Sequence, residues 1–287
     1  MFKIAILGCE NSHANTFLNF LRDGKHPDVT VAGVYSDDAA ASQKLNAEYG
    51  VPVMNNYDEL VGQVDGLVVT ARHGDNHYKY AKPYLASGIP MFIDKPITCD
   101  EAEAVEFMRE AKKYGVRLCG GSCCKYIPLV EEFAKAVKAG EIGAIRGGNL
   151  CAPINMVNEY GNFFFYSQHL VQMMTTVFGY DVEEVSAIRC GNELGIVAKY
   201  PEYPITGSYT SEGWYYFVNV YGGKGKLTGE GQFGPAFEIE FNDLCDLLHG
   251  EPMKETYDEF IRPVFILNAI NRAMESGKTE KVNVVPV

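Results

Sequence analysis

The chain has 287 residues, with 25 Lys+Arg against 37 Asp+Glu and a formal net charge of -12. A pI near 5.0 excludes the basic surface of a polyanion binder, so no nucleic-acid partner is expected. Composition is 47% hydrophobic and 22% charged, as in an ordinary globular enzyme of one large or two modest domains, and no apolar run is long enough to span a bilayer.

The first 120 or so residues alternate strand and helix patterns. Residues 2–9 are too short for a signal-peptide core and lead straight into a strand, turn and helix. Lys3–Leu7 is the strand. Ala14, Phe17, Leu18 and Leu21 form one helix face. Val29–Tyr35 reads as a strand and Ala39–Tyr49 as a helix stopped by Gly50 and Pro52. Gly66–Thr70, Pro90–Ile93 and Val116–Cys119 are three further strands, with a helix over Asn76–Ala86 and another up to Tyr114. Thr98 and Glu101 are spaced as a capping box for the latter. Short apolar strands separated by amphipathic helices predict a doubly wound parallel sheet, an α/β fold.

Alternation stops near residue 121, which divides the chain into expected domains 1–121 and 122–287. A helix over Leu129–Ala139 and another around Gln168–Val177 precede β-rich segments Val182–Arg189, Leu194–Tyr200, Ile205–Thr210, Trp214–Tyr221 and Lys226–Thr228. Tight turn signals between them predict a mostly antiparallel sheet in an α+β domain. Trp214–Tyr221 suits sheet packing or a subunit interface. Helices over Phe237–His249 and Tyr257–Glu275, the second with a Thr256/Glu259 capping box, and a strand at Lys281–Val285 complete the reading.

Eight cysteines are scattered without an export signal, which fits reduced thiols and a cytoplasmic protein. Cys119, Cys123 and Cys124 lack the paired spacing of a zinc site, so no metal is expected.

Ligands of such sheets bind at the first strand-to-helix turn. Here it reads Gly8-Cys9-Glu10-Asn11-Ser12-His13 against the dinucleotide pattern G-x-G-x-x-G. Gly8 supplies the tight turn. Glu10 replaces the second glycine and sets a carboxylate where a diphosphate approaches. His13 takes the third position. Asn11 or Ser12 can cap the helix, whose N-terminus attracts anions. Ser36 stands where an acid usually grips the adenosine ribose, with Asp37 one step on. Asp37 or Asp38 can instead cap the next helix.

Asp94-Lys95-Pro96 between a strand and a helix resembles the E-K-P signature of the glucose–fructose oxidoreductase/inositol dehydrogenase/MocA (Gfo/Idh/MocA) family. Ala47–Pro52, Asn56–Leu60, Thr70–His77 (similar to T-P-N-x-x-H), Lys125-Tyr126-Ile127-Pro128 (similar to R-F-x-P) and Gly140–Gly143 fall in that family's order. The resemblance implies a Rossmann domain joined to an α+β domain, and NAD or NADP as cofactor, with NAD favoured by Asp37. It implies cofactor contacts from Gly8, Asn11, Ser12, His13, Ser36, Asp37, Thr70, Arg72, His77, Lys95 and Pro96, with a cis bond expected before Pro96. His77 is expected to support geometry rather than transfer protons.

In the same terms Lys95 is the catalytic residue beside nicotinamide, where an ammonium stabilises a developing alkoxide. A solvated lysine at a strand end is the plain alternative. The family's D-x-x-x-H motif appears as Phe165-Tyr166-Ser167-Gln168-His169, with the histidine kept and the aspartate lost. His169 is the expected proton carrier, against a core histidine. Its ring must then be oriented by another group, locally Tyr166, Ser167 or Gln168. Lys125, Tyr126, Tyr160 and Tyr166 are expected to line a polyol pocket.

The implied function is hydride transfer between nicotinamide and a carbinol of a sugar, inositol or related polyol. A glycosidase using transient redox chemistry, and a non-catalytic sensor on the same fold, remain open because of Glu10, Ser36 and Phe165. The second domain is short for the family, so a homo-oligomer (dimer or tetramer) covering its open sheet is expected.

Overall fold

The computed structural model describes residues 1–287. They form two compact units. The first comprises Met1–Gly121, Phe237–Ile261 and Pro286–Val287, and the second Ser122–Ala236 and Arg262–Val285.

In the first unit five parallel strands, β1 (Phe2–Leu7), β2 (Val29–Tyr35), β3 (Gly66–Val69), β4 (Met91–Asp94) and β5 (Leu118–Gly121), lie in the order β2-β1-β3-β4-β5. An isolated parallel bridge from Val34 to Val53 extends the edge beyond β2. Helices α1 (Ser12–Arg22), α2 (Ala39–Tyr49), α3 (Asp75–Ala81) and α4 (Glu101–Tyr114) follow successive strands. Strands β3, β4 and β5 are buried along their whole length, as expected where helices cover both faces.

Local departures have local causes. The expected helix over 76–86 ends early, and Lys82–Ser87 is a 3-10 turn, because Pro83 cannot donate the N–H that continues an α-helix. Helix α4 is capped by Asp100, whose Oδ1 accepts from Glu103 N at 2.8 Å. Thr98 instead donates to the Asp100 carbonyl, so the Thr98/Glu101 box is not formed. The Thr256/Glu259 box is formed in both directions.

The return of residues 237–261 to the first unit is not visible in the sequence alternation. Its reason is burial. Phe241, Leu244, Leu247 and Leu248 share a core with Ile4, Ile6, Phe17, Val68 and Phe92. Phe241 stacks on Phe17 at 4.8 Å between ring centres.

In the second unit a seven-stranded sheet has the order β11-β10-β6-β9-β8-β7-β12. The strands are β6 (Ile145–Pro153), β7 (Glu184–Cys190), β8 (Glu193–Lys199), β9 (Pro204–Thr210), β10 (Phe217–Gly222), β11 (Lys226–Glu230) and β12 (Glu280–Lys281). Only β6 and β9 pair in parallel. The antiparallel strands β8 and β9 alternate buried and exposed residues, so one face is packed and the other open. Helices α5 (Pro128–Lys138) and α6 (Phe164–Phe178) supply Val130, Phe133, Leu170, Met173 and Met174 to the packed core. Two helices cross between the units along the chain: α7 (Ala236–Leu248) and α8 (Tyr257–Ser276). No helix is long and apolar enough to cross a membrane.

Strand β6 is absent from the sequence reading, because Gly147-Gly148 and Pro153 look like turn residues. Gly148 has a packing reason: a Cβ there would lie 2.5 Å from the Phe178 ring, so glycine lets α6 close onto the sheet.

Candidate active site

In the first unit the expected residues cluster at the carboxyl ends of the strands, where open α/β sheets bind ligands. Gly8 follows β1 with φ 74, a conformation that favours glycine, and a Cβ there would lie 2.3 Å from the Ala71 nitrogen. The turn therefore presses onto the end of β3. Thr70 is fully buried and donates to the Gly8 carbonyl at 3.1 Å, so it shapes this turn.

An α-helix starts with N–H groups that lack intrahelical partners. Asn11 caps α1, its Oδ1 accepting from His13 N at 3.3 Å. Ser12 is exposed beside it. Asn11 Nδ2 donates to Asp94 Oδ2 at 3.0 Å. His13 is buried, and its Nδ1 lies 2.7 Å from the same oxygen, an electrostatic contact out of line for a good hydrogen bond. Asp94 also accepts from Lys95 N at 2.7 Å. Burial raises the proton affinity of Asp94, but His13, Lys95 and His77 outweigh it and hold the carboxyl below its ordinary value.

Lys95 is only 5% exposed, so it is not a solvated lysine at a strand end. The Lys95–Pro96 bond is cis. His77 is fully buried, with Nδ1 2.6 Å from the Pro96 carbonyl and Nε2 2.8 Å from the Ala71 carbonyl. It ties the loop after β3 to the turn after β4.

The Glu10 carboxylate is held between the ends of β2 and β3. Its Oε2 accepts from Ser36 Oγ at 2.7 Å and its Oε1 from Arg72 N at 3.0 Å. Asp37 accepts from Tyr35 Oη at 2.7 Å and from Lys79 Nζ at 3.2 Å, while Asp38 caps α2. The remaining donors of α1, a carboxylate engaged by Ser36 and the Arg72 N–H, and a buried lysine after β4 fit a dinucleotide. The donor atoms of His73, Asp75 and Cys99 lie within 4.8 Å of one another in the same region, and nothing further marks them as an ion site.

In the second unit His169 on α6 is 5% exposed. Its Nδ1 lies 2.7 Å from Ser122 Oγ and 3.4 Å from Cys124 Sγ. The orienting contact does not come from the neighbours Ser167 and Gln168 that the sequence offers beside Tyr166. Gln168 instead bonds Gln172, and the Ser167 hydroxyl has no partner. Tyr166 meets His169 edge-on, at 5.2 Å between rings. Gln172 Oε1 accepts from Ser122 N at 3.3 Å and so braces the serine. Burial alone would raise the Cys124 thiol, but its contacts with Cys123, His169 and Ser122 hold it below the ordinary value.

Lys125 and Tyr126 are buried in the 3-10 turn that carries Cys124, with Lys125 Nζ 5.2 Å from the Tyr126 ring centre. An aromatic run surrounds His169. Tyr160 packs on Phe165 at 5.0 Å, Phe165 on Tyr166 at 4.9 Å, and Tyr166 on Trp214 at 5.5 Å. Trp214 precedes β10 rather than lying in it, and the residue is 68% exposed. It belongs to the surroundings of Tyr166, not to the sheet.

Residues 2–122 match the oxidoreductase family described as having an NAD-binding Rossmann fold (Gfo/Idh/MocA). Over this segment, less than half of the chain, the protein is similar to that family. It is 25% identical over 216 residues to trans-1,2-dihydrobenzene-1,2-diol dehydrogenase of Oryctolagus cuniculus, covering 69% of this chain and 65% of that one. It is 26% identical over 117 residues to the rhizopine catabolism protein MocA of Rhizobium meliloti, covering 40% and 36%. The chain thus spans less than two thirds of these curated relatives' length. The scyllo-inositol dehydrogenase of Lactobacillus casei, solved with NAD(H) and scyllo-inositol, superposes with a TM-score of 0.86 at 15% identity over 98% of this chain and 99% of that one. The myo-inositol 2-dehydrogenase of Lactobacillus plantarum gives 0.84 at 16% identity over 98% and 99%. At such identities these two likenesses establish the fold.

Proposed function

We propose that this chain is a Gfo/Idh/MocA-type, NAD(P)-dependent dehydrogenase acting on a carbinol of a hydroxylated ring: a sugar, an inositol or a related cyclic diol. The observation that carries this reading is Lys95, buried at the carboxyl end of β4 within the segment that matches the NAD-binding family. A buried ammonium there is a preorganised donor to an alcohol oxygen and stabilises the alkoxide as hydride departs. Bound nicotinamide supplies the hydride acceptor. His169 takes the hydroxyl proton at Nε2 while Ser122 holds Nδ1. A serine hydroxyl can donate or accept, so it can serve both states of the ring.

Aromatic faces beside His169 favour a ring with one apolar face. The names of the inositol and dihydrodiol dehydrogenases among its relatives and fold neighbours agree with such a substrate. Replacing Lys95 with Met tests the reading: turnover is lost and the fold is retained. A second reading, a non-catalytic binding protein, is favoured by Phe165 in place of the family's aspartate. It predicts ligand binding without turnover on any substrate.

The open face of the second unit's sheet exposes Ile188, Val197 and Tyr221, and we assign it to a homo-oligomer contact. A monomeric mass in solution contradicts that assignment. All eight cysteines are free thiols, which fits the reducing cytoplasm.

A further inference from the structure

Two departures from the dinucleotide pattern meet in space. The strand end that normally carries a ribose-binding acid carries Ser36, and the turn that normally carries a second glycine carries Glu10. The Glu10 carboxylate is 2.7 Å from the Ser36 hydroxyl. We propose that Glu10 is the adenosine-ribose ligand of this chain and that it selects NAD over NADP. The proposal rests on the dinucleotide site argued above.

The carboxylate is fixed against Ser36, the residue that stands where the acid is usually found. Its two oxygens are held from different sides, by Ser36 beyond β2 and by the Arg72 backbone N–H beyond β3. Each carboxylate oxygen has two acceptor positions, so each keeps one for a ribose hydroxyl. Ser36 cannot serve a phosphate in this arrangement. Its single proton goes to Glu10, and its oxygen accepts from Asp38 N at 3.0 Å. Asp37 is engaged by Tyr35 and Lys79. A 2′-hydroxyl donates to the Glu10 carboxylate, whereas a 2′-phosphate brings like charge against it.

Calorimetric titration of the full chain with NAD and with NADP tests this without any turnover. The wild-type protein is expected to bind NAD at least about tenfold more tightly than NADP, and Glu10→Gln to weaken NAD by about tenfold and narrow the ratio. The double variant E10Q/S36D, which returns an acid to the strand end, restores the NAD preference. Equal affinities in the wild type, or a Glu10→Gln variant that binds NAD as well as or better than wild type, overturn the proposal. In the latter case Glu10 obstructs the site. If neither nucleotide binds the wild-type protein at millimolar concentration, the dinucleotide reading itself fails, and this proposal with it. Circular dichroism of each variant separates lost binding from lost fold.

Discussion

Ser122 Oγ lies 2.7 Å from His169 Nδ1, so the serine after β5 holds the imidazole of a helix 47 positions further along the chain. The contact lies within one compact unit. Ser122→Ala is expected to lower kcat about tenfold, equivalent to ~1.4 kcal/mol. KM should change little, and Ser122→Thr should recover most of the loss. Full activity in Ser122→Ala would show that the ring is held without the serine, by its packing and the Cys124 contact.

Asp94 joins three contacts at the end of β4: Asn11 Nδ2, His13 Nδ1 and its neighbour Lys95 N. Removing one partner of a buried charged group costs about 3–5 kcal/mol. Asp94→Ala should therefore lose unfolding free energy in this range, read from urea denaturation as a lower midpoint. The pH dependence has a definite sign. The folded carboxyl is held below its ordinary 3.8, so its contribution is complete above that value. It is lost as pH falls through the lower, folded value. The acid limb of the stability profile should be shallower in the variant than in the wild type.

Glu103 behaves in the opposite way. Burial, then Asp75, Asp100 and Glu106, push its carboxyl up to about 7. The folded state holds a proton that the unfolded state has released, so stability falls as pH rises from the ordinary carboxylate range through about 7. Glu103→Gln should raise the melting temperature in mildly alkaline buffer and change it little in mildly acidic buffer. Solvent reaches this side chain, so the gain is small. An equal effect at both pH values would count against this charge balance.

Trp214 stacks edge-on against Tyr166 while most of the residue faces solvent. If it supports a substrate ring, Trp214→Ala raises KM for cyclic alcohols by about three- to tenfold, in line with an aromatic contact of ~1 kcal/mol. NAD affinity stays unchanged. An unaltered KM for every cyclic substrate would assign the residue to another surface role.

Much of this was legible in the sequence because local rules and tertiary structure agree there. Val29–Tyr35 and Ala39–Tyr49 have the expected bounds, and the Asn11 cap and the cis bond before Pro96 are both present. The failures are places where distant packing decides. Gly147-Gly148 looks like a turn until Phe178 is brought against it. Trp214–Tyr216 looks like strand by residue type, yet β10 begins at Phe217. Ser122 carries no periodic or motif signal, since its partner is on another helix. Glu10 read as an obstacle to phosphate because the sequence cannot show a side chain turning to Ser36.

The most direct test is NADH formation from a panel of cyclic polyols and diols, measured for wild type and Lys95→Met side by side. Wild type should form NADH with at least one of them, and the variant should lose about a hundred- to a thousandfold in kcat. Turnover by Lys95→Met at the wild-type rate would contradict the role given to this lysine and the dehydrogenase reading built on it.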